Sequence, residues 1–211
     1  ACTLGFHAIR AGVPGFVTAS HCTFSATVDE GTQIFQPLFP SQVGKEIADP
    51  LLFEGGECPL TRKCRYSDSA FARHVIGVDG DLGFIAKADF NSPAWAGETF
   101  RIVGEGSIMV GDHVNKVGRT TGRTNGQVTA VCARVDVAGT DITLLCQSKA
   151  DVSAAGGDSG APVFNIIDTL SPNVRLYGIL STGGTDSTFS PMSNIQDELG
   201  SMTKCAPGFG C

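Results

Sequence analysis

The sequence predicts an all-β protein, on three observations. Short apolar stretches recur between Gly, Pro, Asn and Asp, the spacing of sandwiches and barrels. Glycine is abundant, at 27 of 211 residues with 10 prolines, which means many turns and close backbone approaches. Only one segment, near the C-terminus, has a helical pattern. Hydrophobic residues make up 42% and charged residues 17%, so the chain has the composition of a folded protein rather than a disordered one. Its length suits one sizeable domain or two lobes sharing an interface. No apolar run approaches the ~20 residues of a membrane helix, and a net charge of -6 excludes a basic nucleic-acid footprint. No solenoid-length repeat is visible.

The elements follow in order. Thr3–Ile9 and Gly15–Ala19 form a hairpin turned by Gly12-Val13-Pro14-Gly15. Strands are expected at Thr32–Phe35, Ser69–His74, Phe84–Lys87, Thr99–Val103 and His113–Val117. Further strands are expected at Gly126–Val137, Ile142–Gln147, Ala161–Asn165, Arg175–Ser181 and Thr188–Pro191. Asn125-Gly126 is a hairpin-turn signal, and Ala138-Gly139-Thr140-Asp141 turns a second hairpin. The helix is Ser193–Leu199, with Ser193 as N-cap and Gly200 as the residue that ends it. Pro37 to Cys64 is rich in Pro and Gly and reads as a long surface loop, a passive insertion ahead of a cleft rim.

The eight cysteines fall into sequence-local pairs: Cys2 with Cys22, Cys58 with Cys64, Cys132 with Cys146, and Cys205 with Cys211. Eight thiols allow 105 connectivities, and locality makes this set the expectation. The hairpin around Ala138–Asp141 faces Cys132 against Cys146, in agreement with it. Zinc is the competing reading, but the spacings lack a C-x2-C cluster and only four histidines are present, so disulfides are preferred. Disulfides imply an oxidising compartment, and the chain opens directly into strand-like sequence, so a mature secreted, extracellular protein is expected.

Two segments carry the chemistry: Thr18-Ala19-Ser20-His21-Cys22 and Gly156-Gly157-Asp158-Ser159-Gly160-Ala161-Pro162-Val163. A serine hydroxyl is a weak nucleophile until a positioned base takes its proton, and an imidazole titrating near pH 6.5 suits that role. His21 is the base and Ser159 the nucleophile. A tether from Cys22 to Cys2 fixes the turn that carries the histidine. Gly156-Gly157 permits a sharp turn that aims the amides of Gly157 and Ser159 at one point, an oxyanion hole. Asp158 turns inward and braces the loop.

T-A-x-H-C followed by G-D-S-G-x-P resembles the chymotrypsin-type serine proteases, most nearly the secreted bacterial streptogrisin and α-lytic group. Gly118-Arg119-Thr120-Thr121-Gly122 with Gly126-Gln127-Val128-Thr129-Ala130 resembles a second-barrel stretch of that group, so the likeness runs from Cys2 to about Ile195. Ala161 departs from it, where a second glycine is common. The resemblance implies two antiparallel six-stranded β-barrels with a short C-terminal helix. Residues 1–102 would carry His and Asp, and residues 103–211 the nucleophile and the specificity pocket.

The resemblance also asks for an Asp ahead of a strand of D-x-A/G-apolar type. Asp68-Ser69-Ala70-Phe71 and Asp81-Leu82-Gly83-Phe84 both comply. Asp68 is preferred because it follows the Cys58–Cys64 loop and its surroundings resemble related strand entries. Its role is to hold the His21 tautomer and stabilise the imidazolium. Ser181 is expected to hydrogen-bond Asp68. The pocket walls implied are Ser153-Ala154-Ala155, Ser181-Thr182-Gly183 and the strand near Ser187-Thr188. Ser153 stands where trypsin-like members carry Asp, and the later walls hold no histidine, so the pocket is neutral and prefers an apolar P1 side chain. Asp186 restores a basic preference only if its loop folds inward, and a loop-tip position is preferred.

Animal members insert a new Ile-Val-type N-terminus. This chain starts Ala1-Cys2 with no such sequence, so an active form is expected to be held ready another way, as in the bacterial group, and the resemblance implies a removed pro-segment. The expected activity is that of a serine endopeptidase acting on protein or peptide substrates as a monomer, with no cofactor, metal, nucleic acid or membrane involved. The alternatives are an esterase or narrow processing protease using the same triad, and a protease-like binding protein that has lost catalysis.

Overall fold

A computed structural model describes residues 1–23 and 31–211. In chain order the strands are β1 (Phe6–Arg10), β2 (Val13–Thr18), β3 (Gln33–Phe35), β4 (Gln42–Ala48), β5 (Lys63–Arg65), β6 (Ala70–His74), β7 (Phe84–Ala88) and β8 (Trp95–Glu105). They continue with β9 (His113–Gly118), β10 (Gly122–Asp136), β11 (Ile142–Ala150), β12 (Pro162–Ile166), β13 (Asn173–Thr182) and β14 (Ser187–Pro191). Helix α1 (Met192–Leu199) and the short β15 (Met202–Thr203) close the chain.

The strands make two sheets. The first has six strands in the order β15-β1-β2-β6-β4-β3. The second has nine, the expected six and three more. The reason lies in its pairings. β12 bonds to both β9 and β13, so six strands pair in a ring, β9-β10-β11-β14-β13-β12. Three more attach outside it: β5 lies parallel to β11, β8 parallel to β13, and β7 pairs with β8. Strands from the first hundred residues therefore join the second sheet, while β15 returns to the first by pairing with β1.

Local differences from the sequence expectation have physical causes. The first hairpin turns at Ala11-Gly12, both with positive φ (48° and 79°), and β2 begins at Val13. Two left-handed residues match the twist of the flanking strands. Asn125-Gly126 lies inside β10. The turn is at Arg119–Thr121, because Gly118 already pairs with Gly122, and Gly122 supplies a φ of +64°. The Pro37–Cys64 segment is not one long loop. It contains β4, which pairs with β3 and β6 and buries Gly44 and Glu46. Pro191, not Ser193, is the N-cap of α1, and Gly200 ends it with φ +84°. The four disulfides join the expected local pairs.

One apolar cluster joins both sheets and the helix. Phe6, Val17 and Phe71 pack with Phe100, Ile102, Phe164 and Ile179, and with Ile195 and Leu199 of α1. Each such side chain contributes roughly 1.5–3 kcal/mol on burial. A second cluster, including Val114, Val128, Val163, Leu180 and Phe189, involves the ring strands. The first cluster sets β2 and β6, which lead to His21 and follow Asp68, against β12 and β13, which flank Ser159.

Candidate active site

β2 ends at Thr18, and Ser20–Cys22 forms a single 3-10 turn that presents His21. The Cys2–Cys22 disulfide holds the far side of the turn. Its near side is held from beneath. Ser20 donates to Asp49 Oδ2 at 2.8 Å, and Arg65 Nη1 donates to both Ser20 Oγ (2.8 Å) and Asp49 Oδ1 (2.9 Å). The Arg65–Asp49 ion pair is sealed from water, at 1% and 0% side-chain exposure.

His21 meets Asp68 twice. Its backbone N–H donates to Oδ1 at 3.0 Å, and ring Nδ1 lies 2.6 Å from Oδ2. Burial lowers the His21 pKa, but the hydrogen bond and charge of Asp68 outweigh it, and the net shift is upward. Burial raises the Asp68 pKa. His21 and Ser181 outweigh that, and the net shift is downward. Both shifts have the same cause, the attraction between the Asp68 carboxylate and the imidazolium form of His21.

The segment carrying Asp68 is fastened from several sides. Its N–H donates to Ser190 Oγ at 2.9 Å, and Ser181 Oγ donates to its Oδ2 at 2.6 Å. Glu198 of α1 accepts the N–H of Tyr66 (2.6 Å) and of Ser67 (2.8 Å), and Asn194 donates to the Tyr66 carbonyl at 2.7 Å. Asp81 is elsewhere. It is exposed in the turn before β7, and its charge acts on His7, not His21.

The loop 153–160 carries Ser159. Asp158 is fully buried beneath it. Its Oδ1 accepts the N–H of Thr120 and Thr121, and its Oδ2 accepts Thr121 Oγ1 and the N–H of Ala155. Lys116 Nζ lies 3.3 Å from Asp158 Oδ2, with both side chains at 0% exposure. Burial raises the carboxyl pKa, but these donors and the lysine hold it below its ordinary value. The N-terminal segment straps the other side: Thr3 Oγ1 donates to the Gly157 carbonyl and Thr3 N–H to the Ser159 carbonyl. A Cβ at Gly160 would stand 2.4 Å from the Thr3 carbonyl and 3.1 Å from the Ala19 nitrogen, so the loop lies against both the N-terminal segment and the chain entering the His21 turn. The amides of Gly157 and Ser159 donate to no acceptor among the described residues. The Ser159 hydroxyl donates to the Ser181 carbonyl at 3.3 Å. Ser181 thus touches both Ser159 and Asp68.

Of the expected walls, Ala154 pairs with Gly184 across the space between the two segments, while Ser153, Ala155 and Gly183 are exposed and Thr182 is half-buried. Asp186 is at the surface, facing Lys149 (3.4 Å) and Thr129 (3.3 Å). Sequence reasoning missed Arg65–Asp49, Lys116 and Glu198. No spacing rule links such distant positions. The one available signal was a lysine between Val114 and Val117 in a strand, as at Lys116 in β9.

No family model matches the chain. It is 31% identical over 192 residues to streptogrisin-D of Streptomyces griseus, a match covering 90% of this chain and 42% of that protein. The chain thus spans less than half the length of that relative. It is 29% identical over 186 residues to serine protease 2 of Streptomyces fradiae, covering 87% of this chain and 91% of that one. Thermobifida fusca protease A superposes with a TM-score of 0.69 over 97% of this chain and 91% of that chain, at 20% identity, a likeness of fold. The chain is thus similar in sequence to the first two and in fold to the third, and its two motifs resemble those of the chymotrypsin-type serine proteases of bacteria.

Proposed function

We propose that the protein is a serine endopeptidase working through Ser159, His21 and Asp68. One observation carries this reading: the His21 ring lies 2.6 Å from Asp68, and Ser181 bonds both that carboxylate and the Ser159 hydroxyl. Ser159 turns from the Ser181 carbonyl toward His21 Nε2, gives up its proton there and attacks the scissile carbonyl. Asp68 holds the Nδ1 proton and stabilises the imidazolium. The oxyanion forms against the free amides of Gly157 and Ser159, a contact of the kind whose loss costs roughly 3–4 kcal/mol of transition-state stabilisation. His21 then protonates the leaving amine, and water reverses the steps to release the acid.

Lys116 supports a loop held ready without an inserted N-terminus, since its ammonium neutralises Asp158 from within the fold. A neutral P1 preference is supported by Ser153 in place of an acidic floor and by Asp186 facing Lys149 at the surface. An extracellular setting is supported by four disulfides, and no helix among the described residues is long and apolar enough to cross a membrane.

Incubation with an unfolded protein substrate tests the reading. New peptide termini should appear with the wild type and be lost in Ser159→Ala. Equal cleavage by both would refute it.

A further inference from the structure

We propose that the space beside Ser159 admits only small P1 side chains, those of glycine, alanine or serine, because the two segments flanking it are hydrogen-bonded to each other. The inference rests on the endopeptidase reading above and deepens it. An acyl group on Ser159 has the free amides of Gly157 and Ser159 on one side of its carbonyl. By the resemblance its side chain leaves on the other side, between the segment entering the Ser159 loop and the end of β13, whose Ser181 carbonyl accepts the Ser159 hydroxyl.

These two segments are joined at two places. Ala154 N–H donates to the Gly184 carbonyl at 3.1 Å, and Gly184 N–H donates back to the Ala154 carbonyl at 3.0 Å. Farther along, Ser187 Oγ donates to the Val152 carbonyl at 2.6 Å. Backbones paired in this way lie about 4.8 Å apart. An aromatic or long side chain slotted between them needs contacts of about 3.5 Å on each face, and so about 7 Å between the backbones. The remaining room is already used: a Cβ placed on Gly183 would stand 3.0 Å from the Ala154 carbonyl oxygen and 3.3 Å from the Ala154 Cβ.

What stays open at the mouth is Ala155, Gly156 and Gly183, with no side chain larger than a methyl. Asp186, in the connecting turn, faces outward to Lys149 and Thr129. P1 selection therefore comes from exclusion by backbone. The neutral pocket takes a methyl or hydroxymethyl group on its surface and has no depth for Phe, Lys or Glu.

The test is a set of peptidyl diphenyl phosphonates differing only at P1 (Ala, Phe, Lys, Glu), with a small alkyl fluorophosphonate that requires no P1 side chain. The rate of Ser159 modification is read by intact mass. The Ala compound and the fluorophosphonate should react, and the other three at least ~100-fold more slowly than Ala. Any of the three reacting as fast as the Ala compound overturns the exclusion while leaving the endopeptidase reading intact. Failure of the fluorophosphonate to label overturns the endopeptidase reading and this proposal with it. A variant with two glycines inserted after Gly184, which lets the turn bow away from Ala154, should raise the Phe rate relative to the fluorophosphonate rate at least tenfold. No change in that ratio counts against the stitched backbone as the cause.

Discussion

The Ser181 hydroxyl and the Asp68 carboxylate meet at 2.6 Å, on the same Oδ2 that faces the His21 ring. Asp68 Oδ1 accepts the His21 N–H, so the carboxylate has one orientation with respect to the imidazole. Its charge is retained despite burial because its hydrogen bonds and the facing ring favour the ionised form.

Asp68→Asn should therefore keep the fold and lower kcat on the order of 10^4-fold, since an amide no longer stabilises the imidazolium or enforces its tautomer. Asp81→Asn, remote from His21, should leave kcat within about twofold. Steady-state kinetics on both variants, beside circular dichroism, decide between the two carboxylates.

The pH–rate profile should carry the mark of the same pair. The His21 pKa is raised above its ordinary 6.5 by Asp68 against the opposing effect of burial, and the base works only when neutral. The acidic limb of kcat/KM should have its midpoint above pH 6.5 in the wild type. A midpoint at or below 6.5 would contradict the account. In the stability of the fold the signs are opposite for the two partners. The His21 contribution is complete below 6.5 and lost as pH rises through the folded-state pKa, whereas that of Asp68 is lost as pH falls below 3.8.

His7 predicts a second pH effect, on stability alone. Its Nδ1 lies 3.2 Å from His74 Nε2, beside the Phe16 ring. Burial first, then His74, lower its pKa below 6.5, against smaller upward effects from Asp81 and the Gly15 backbone. A lowered pKa means the unfolded chain binds the proton more readily, so this contribution is present above 6.5 and fades as pH falls below it. Tm should drop over that interval, and His7→Gln should flatten the drop. An unchanged slope in the variant would assign the effect elsewhere.

Glu198 links the helix to the triad segment through the N–H groups of Tyr66 and Ser67. Glu198→Ala leaves both donors without their acceptor, and the expected loss is about 1–3 kcal/mol of stability in urea unfolding. kcat should fall as well, with KM little changed, because the segment loses its hold on Asp68. Glu198→Gln, which keeps one acceptor oxygen, should recover part of both.

Lys116→Met leaves the Asp158 charge without its counterion at a site of 0% exposure. A buried pair broken on one side typically costs about 3–5 kcal/mol. Lys116→Arg should retain most of the stability and activity. Thermal unfolding of the two variants separates loss of charge from loss of packing.

The candidate site was legible in the sequence where the information is local. His21 and Ser159 each sit in a short motif whose turn residues shape the backbone beside them, and the Cys132–Cys146 hairpin follows from adjacent strands. What it did not carry depends on register between distant segments. β4 was hidden because a strand in a Pro/Gly-rich stretch is recognised only by the partners on either side of it. The turn at Arg119–Thr121 competes with a stronger local signal at Asn125-Gly126, and the pairing of Gly118 with Gly122 decides it. The stitching of Ala154 to Gly184 joins residues thirty positions apart, and composition alone presents the same residues as an open neutral pocket.

Activation of Ser159 is read by intact mass after exposure to a fluorophosphonate. One adduct is expected on the wild type, none on Ser159→Ala, and greatly slowed labelling in His21→Ala. An unlabelled wild type, or an adduct that persists in Ser159→Ala, would contradict that activation.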